Sequence, residues 1–142
     1  MNQLDQERAR KAMIVFRKAQ RTIDQQVSNS YKNHGITPTQ FNVLEVLYNK
    51  GQMKICHLIS KIFATSGNMT VVLRNMEKNG WIYRQVDPQD RRASLIGLTP
   101  QGESLIKKAL PEHLEAVYQT MSILSPQEQD DLITLLKNFK KL

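Results

Sequence analysis

Between Met53 and Gly102 the chain strings together two short helices and a hairpin, and few folds accommodate that order. Lys54-Ile55-Cys56-His57-Leu58-Ile59-Ser60-Lys61-Ile62 carries apolar residues at three- and four-residue steps and reads as one helix. After a break at Phe63 to Thr65, a second helix is predicted from Ser66 to Asn79, with Thr65 as N-cap and Gly80 as its stop. Met69, Val72, Leu73 and Met76 form its buried stripe. Ser66, Asn68, Thr70, Val71, Arg74 and Asn75 are left facing outward. Residues 81–86 and 93–98 read as paired strands. Their connection, Asp87-Pro88-Gln89-Asp90-Arg91-Arg92, is too long for a two-residue turn and should project as a loop. Two helices across a tight turn make a helix-turn-helix, whose second helix is shaped for a major groove. A hairpin with two arginines at its tip suits a wing that reaches a minor groove or phosphates.

Charge follows the same segment. Residues 50–108 hold 10 Lys and Arg against 4 Asp and Glu, net +6, whereas residues 109–142 are net −2. A basic patch on a helix-turn-helix is the footprint of a polyanion-binding face; the bland alternative is a solvated surface. The 142 residues suffice for one domain with a real core. No apolar run approaches a membrane span, the polar start is no signal peptide, and one cysteine excludes a disulfide framework. A cytoplasmic protein is the simplest expectation.

The flanks are helical. Ala9, Ala12, Met13, Phe16, Ala19, Ile23, Val27 and Ser30 recur at helical steps along a first long helix that ends at Asn33-His34-Gly35. Thr37-Pro38 restarts a helix as N-cap plus first-turn proline, and Gly51 stops it. Thr99-Pro100 and Ser125-Pro126 repeat that start, and Pro111 should kink the helix it interrupts. The expected order is α-α-α-α-β-β-α-α, mainly helical with a small hairpin. The apolar stripes of residues 1–36 and 104–142 have no sheet to cover them. The expected solution is a homodimer through the terminal helices, with residues 37–103 as the winged lobe of a single domain. An intramolecular helical cap on a monomer is the other possibility.

The stretch from Leu58 to Gly102 resembles the MarR family of winged helix-turn-helix regulators. Thr65-Ser66-Gly67-Asn68-Met69-Thr70 opens the recognition helix, and Glu77-Lys78-Asn79-Gly80-Trp81-Ile82-Tyr83-Arg84 leads into the wing. The most specific part is Asp87-Pro88-Gln89-Asp90-Arg91-Arg92 followed by Leu98-Thr99-Pro100-Gln101-Gly102, which matches the family's wing pattern of Asp, any residue, Arg, then Leu-Thr-x-x-Gly. The resemblance implies a homodimer whose terminal helices interlock and whose lobes bind a pseudo-palindromic double-stranded operator, as a repressor relieved by a small-molecule or electrophile signal. One departure is Val71, where many members carry Arg. The Ser66-Gly67-Asn68 opening resembles a subset that includes regulators responding to quinones and other electrophiles.

Within that frame Ser66, Asn68 and Thr70 occupy the helix turns that approach base edges. Asn68 can pair bidentately with an adenine and Val71 can pack on a thymine methyl, unless Val71 merely touches a neighbouring helix. Arg74 is expected at a phosphate or simply solvated. Arg92 is the candidate for the minor groove, Arg91 for the backbone, and Asp90 for bracing an arginine, which lowers the ordering cost of binding.

Cys56 is either a small buried or half-buried side chain in a helix-turn-helix core or a thiol, near His57 and Lys54, that reacts with oxidants or electrophiles. Family members that sense redox usually place their cysteine nearer the N-terminus. Family analogy puts an effector pocket between the terminal helices and the lobe, with Phe16, Tyr31, His34 and Phe41 as candidates against a reading as ordinary core. His34, His57 and His113 lack metal-ligand spacing, and no nucleophile constellation or phosphate loop is present, so no metal, cofactor or enzyme activity is expected. The competing function is a winged-helix protein–protein module whose basic face is incidental.

Overall fold

The computed structural model describes residues 2–62 and 66–142, and the side chains of Ser66 and Gly67 are outside the description. The elements are α1 (Gln3–Lys32), α2 (Pro38–Lys50), β1 (Met53–Lys54), α3 (Ile55–Ile62), α4 (Ser66–Lys78), β2 (Ile82–Val86), β3 (Ser94–Leu98), α5 (Pro100–Met121), α6 (Pro126–Lys137) and a terminal 3-10 turn (Asn138–Lys141). The mainly helical class with a small hairpin is as expected. One difference stands out. A short strand precedes α3 where the sequence suggested that helix already began, while α5 runs from Pro100 to Met121 with Pro111 inside it, as its apolar stripe implied. The expected cap at Thr65 and the break at residues 63–65 lie outside the described residues.

Local chemistry explains the element starts. Thr37 and Ser125 each accept a backbone N–H from the residue three positions on, while Gln40 and Glu128 accept the cap N–H in return. These reciprocal boxes satisfy two otherwise orphaned donors per helix, with a proline already set to helical φ in the first turn. At the end of α4, Gly80 takes φ 76°. This left-handed residue lets Trp81 N–H reach Met76 C=O and Gly80 N–H reach Glu77 C=O, closing the helix.

The chain divides into two compact units. The first spans Ser30–Glu112 and contains every fully buried apolar side chain described, among them Phe41, Leu44, Leu58, Met69, Leu73, Met76 and Ile96. It is wider at both ends than the lobe of residues 37–103 read from sequence. Its sheet has the order β1-β3-β2, all antiparallel, with Met53 opposite Ile96 and Val86 opposite Ser94. Helix α4 packs on β2 and α2, and α3 packs on α2 and β3.

The second unit joins the chain up to Asn29 with His113–Leu142. Its described side chains include no fully buried apolar group, while Met13, Phe16, Leu114, Tyr118, Leu135 and Phe139 are exposed. Gln129 ties α6 to the end of α5 by donating to the carbonyls of Met121 and Leu124. The helices are therefore well formed locally, yet their apolar faces remain open to solvent.

Candidate nucleic-acid interface

Helix α4 is divided lengthwise by its burial. Met69 and Met76 are fully buried and Leu73 nearly so, at positions that share one face of a 3.6-residue helix. Asn68, Thr70, Val71, Arg74 and Asn75 occupy the other face and are exposed. Val71 is 53% exposed, so it lies on the outer face and not against a neighbouring helix. Ser66 belongs to α4, but its side chain is not described. The half-buried Val72 marks the edge between the faces.

The wing projects from β2 and β3 and is held from within. Asp87 N–H donates to Ala93 C=O at 3.1 Å, and Ala93 N–H donates to Asp90 C=O at 3.0 Å. The Asp90 carboxylate accepts the backbone N–H of Arg92 at 3.1 Å. The expected bracing of an arginine side chain is thus corrected: Asp90 fixes the turn backbone beneath Arg92, a bond that a two-residue spacing favours. Arg91 and Arg92 are both exposed, and no ion pair holds either side chain among the described residues.

Two ion pairs in the wing's foot were not legible in the sequence. Asp87 is only 6% exposed; its carboxylate accepts Gln89 N–H at 2.9 Å and lies 3.8 Å from Lys54 Nζ. Lys54 comes from β1, so the wing is tied to the strand that leads into α3. Arg84 lies 3.9 Å from Glu77, which links β2 to the last turn of α4. The Arg84–Glu77 pair is exposed and the Lys54–Asp87 pair joins a buried carboxylate to a half-exposed ammonium; at 3.8–3.9 Å the main effect of both is orientation.

Gly102 and Thr99 lock the other side of the foot. Thr99 Oγ1 donates to Gly80 C=O and accepts Gly102 N–H, while Thr99 N–H donates to Trp81 C=O. A Cβ on Gly102 would collide with that same carbonyl of Trp81. The glycine of the Leu-Thr-x-x-Gly pattern is thus a site of close backbone approach.

The remaining candidates separate. Cys56 is exposed, which corrects the buried or half-buried expectation: Leu58 faces the core, and a residue two positions earlier points almost oppositely on a helix. Tyr31 and Phe41 stack with ring centroids 4.4 Å apart and are 6% and 1% exposed, as core residues. His34 Nε2 lies 2.9 Å from Glu112 Oε2 beside them in sequence. Phe16 belongs to the other unit and is exposed.

A divided helix, the helix that precedes it in the chain and a braced basic hairpin define a winged helix-turn-helix protein. The sequence pattern of the MarR family matches residues 36–94, and the chain belongs to that family. It is 38% identical over 136 residues to the HTH-type transcriptional regulator YkoM of Bacillus subtilis (strain 168), covering 96% of this chain and 88% of that protein. It is 32% identical over 131 residues to MhqR of the same strain, covering 92% and 90%. Among solved structures, a MarR-like transcription regulator from Bacillus cereus ATCC 10987 superimposes with a TM-score of 0.87 at 23% identity, over 95% of this chain and 97% of that one. A mutant MarR from E. coli, complexed with operator DNA, gives 0.84 at 20% identity, over 98% and 99%. At these identities the structural likeness establishes the fold. The protein is a transcriptional regulator of the MarR family and not an enzyme. No helix among the described residues is long and apolar enough to cross a membrane.

Proposed function

We propose that the protein is a homodimer that binds a pseudo-palindromic duplex operator and represses transcription by occupying it, until a small-molecule or electrophile signal releases it. The observation that carries the DNA reading is the pairing of α4's exposed polar face with a wing whose two arginines are held out by backbone bonds and not by ion pairs. In this reading Asn68, Thr70 and Val71 meet base edges, with Ser66 at the start of the same helix. Arg74 and Arg91 meet phosphates, and Arg92 enters the minor groove. Two lobes related by a two-fold axis would read two half-sites one helical turn apart.

The dimer is supported by the open apolar faces of the second unit. Exposed residues such as Phe16, Tyr118 and Phe139 on elements with no buried apolar core of their own are what an obligate helical interface leaves when one copy is taken alone. Operator binding in the E. coli MarR complex belongs to that protein; here it supports the same partner class.

The test is selection of bound fragments from genomic DNA, followed by affinity measurements against a library with one base pair varied at a time. Asn68→Ala should relax preference at one position per half-site by about 1–3 kcal/mol, the worth of a bidentate base contact. A uniform loss across all positions would make Asn68 a backbone anchor, and absence of any preferred site would refute the DNA reading.

A further inference from the structure

At the foot of the wing, Lys54, Ile55 and Cys56 from the β1–α3 junction and Arg92, Ala93 and Ser94 from the entry to β3 line an open cavity of about 350 Å³. Lys54, Arg92 and Ser94 are the hydrogen-bonding residues of its lining, and no carboxylate residue is among them. The nearest acid to Lys54 is Asp87, at 3.8 Å, beyond hydrogen-bond reach, so the ammonium keeps donors for another partner. The Lys54 side chain is 38% exposed.

We infer that this cavity seats one phosphate of the duplex backbone, held by Lys54 and Ser94 beside the minor groove that Arg92 enters. The inference rests on the DNA-binding reading above. Both walls come from elements that flank the backbone in that reading: α3 is the helix that crosses the strand before the recognition helix, and β3 carries the wing. An arginine in a minor groove has phosphates on both sides of it, so the foot of the wing must meet one of them or leave its cations unused. A cation and a hydroxyl match the anionic oxygens of a phosphodiester, and an open mouth suits a group that remains bonded to the strand at both ends. Asp87, 3.8 Å from Lys54 Nζ, is not among the residues that line the cavity.

Cys56 lines the same cavity, is exposed and is the chain's one cysteine, so its reaction with N-ethylmaleimide reports occupancy directly. With a duplex carrying the selected operator bound, alkylation of the unaltered protein should slow by about tenfold or more, because thiol reactivity follows access. Lys54→Gln should weaken binding alike for all sequences and make the dependence of log affinity on log salt shallower by about 0.9, the value for one phosphate. Because Lys54→Gln also removes the charge facing Asp87, a second measurement leaves the protein intact. One backbone linkage per half-site is replaced by a neutral methylphosphonate, each position in turn. One position should weaken the unaltered protein yet leave Lys54→Gln no weaker than before. Operator binding with Cys56 fully reactive, or losses that add at every linkage, would overturn the seat while leaving the DNA reading standing. An unaltered protein that binds no duplex would bring down both.

Discussion

Replacing Gly102 with Ala should destabilise the protein, although general helix chemistry predicts the opposite. Gly102 lies in the first turn of α5, where alanine is favoured over glycine by about 0.8–1 kcal/mol through helix propensity and a less flexible unfolded chain. Two steric and hydrogen-bonding costs outweigh that gain. The new Cβ would occupy the space of the Trp81 carbonyl, and backbone cannot swing away as a side chain tip can; forcing such overlap costs about 1–3 kcal/mol. Any shift that relieves it pulls Trp81 C=O from Thr99 N–H, now 3.1 Å away, and leaving buried backbone groups unpaired costs about 1–3 kcal/mol more. Net of the helix gain, the expected loss is about 3 kcal/mol, or roughly 10 °C in melting temperature for a chain of this size.

The comparison that isolates the mechanism is Gly97→Ala on β3. There the added Cβ would meet the ring and hydroxyl of Tyr83, whose side chain can move at the expense of its exposed hydrogen bond to Gln52. That substitution should cost about 1 kcal/mol, the typical worth of one such bond. Equilibrium urea unfolding of the three proteins, with slopes compared to confirm that the unfolded states match, measures both losses. A Gly102→Ala protein as stable as the unaltered one, or more stable, would refute the claim that this glycine is required by backbone approach. Operator affinity should also fall in any folded Gly102→Ala protein, because the Thr99 lock positions the foot of the wing.

Arg92→Ala should weaken operator binding by about tenfold, the scale of one charge-assisted hydrogen bond, without changing the melting curve, since the side chain is exposed; unchanged affinity at physiological salt would remove Arg92 from the minor groove. Asp90→Ala should act in the same direction but less strongly, through the loss of its bond to Arg92 N–H. Leu136→Lys, at a position 37% exposed in one copy, should yield a monomer by light scattering if α6 lies in the dimer interface, and operator affinity should fall with it. At the start of α6, the bond from Ser125 N–H, followed by the one involving the Ser125 hydroxyl, holds the Glu128 carboxyl below its ordinary range. A depressed carboxyl stabilises the helix start above the unfolded value and loses that contribution as pH falls through the folded one. Protection of the amides of residues 127–129, measured as exchange relative to the intrinsic rate at each pH, should therefore fall on acidification, and Glu128→Gln should flatten that dependence.

How much of the fold and the site was legible in the sequence depends on the range over which each feature is determined. Thr37-Pro38 and Ser125-Pro126 announced their helices because a capping box closes within four residues. The stripe of Met69, Leu73 and Met76 was equally local, and it fixed which side of α4 is free. Strand β1 was hidden for the opposite reason. Two residues have no period to read, and Met53 and Lys54 become a strand only by pairing with Ile96 and Leu95, which lie some forty residues on. Asp87 looked like an ordinary turn residue because its burial depends on that same distant strand and its lysine.

Cys56 was a different failure, since the information was present. Ile55, Leu58, Ile59 and Ile62 set the phase of α3 and put Cys56 off their stripe, whereas the average preference of cysteine for protein interiors points the other way. Helix phase is a geometric constraint, whereas residue-type burial is an average over many environments; where the two conflict in an eight-residue helix anchored by one buried leucine, geometry decides. The same phase leaves Cys56 among the residues that line the cavity with Lys54 and Arg92, so its alkylation tests the proposed DNA contact at a natural residue.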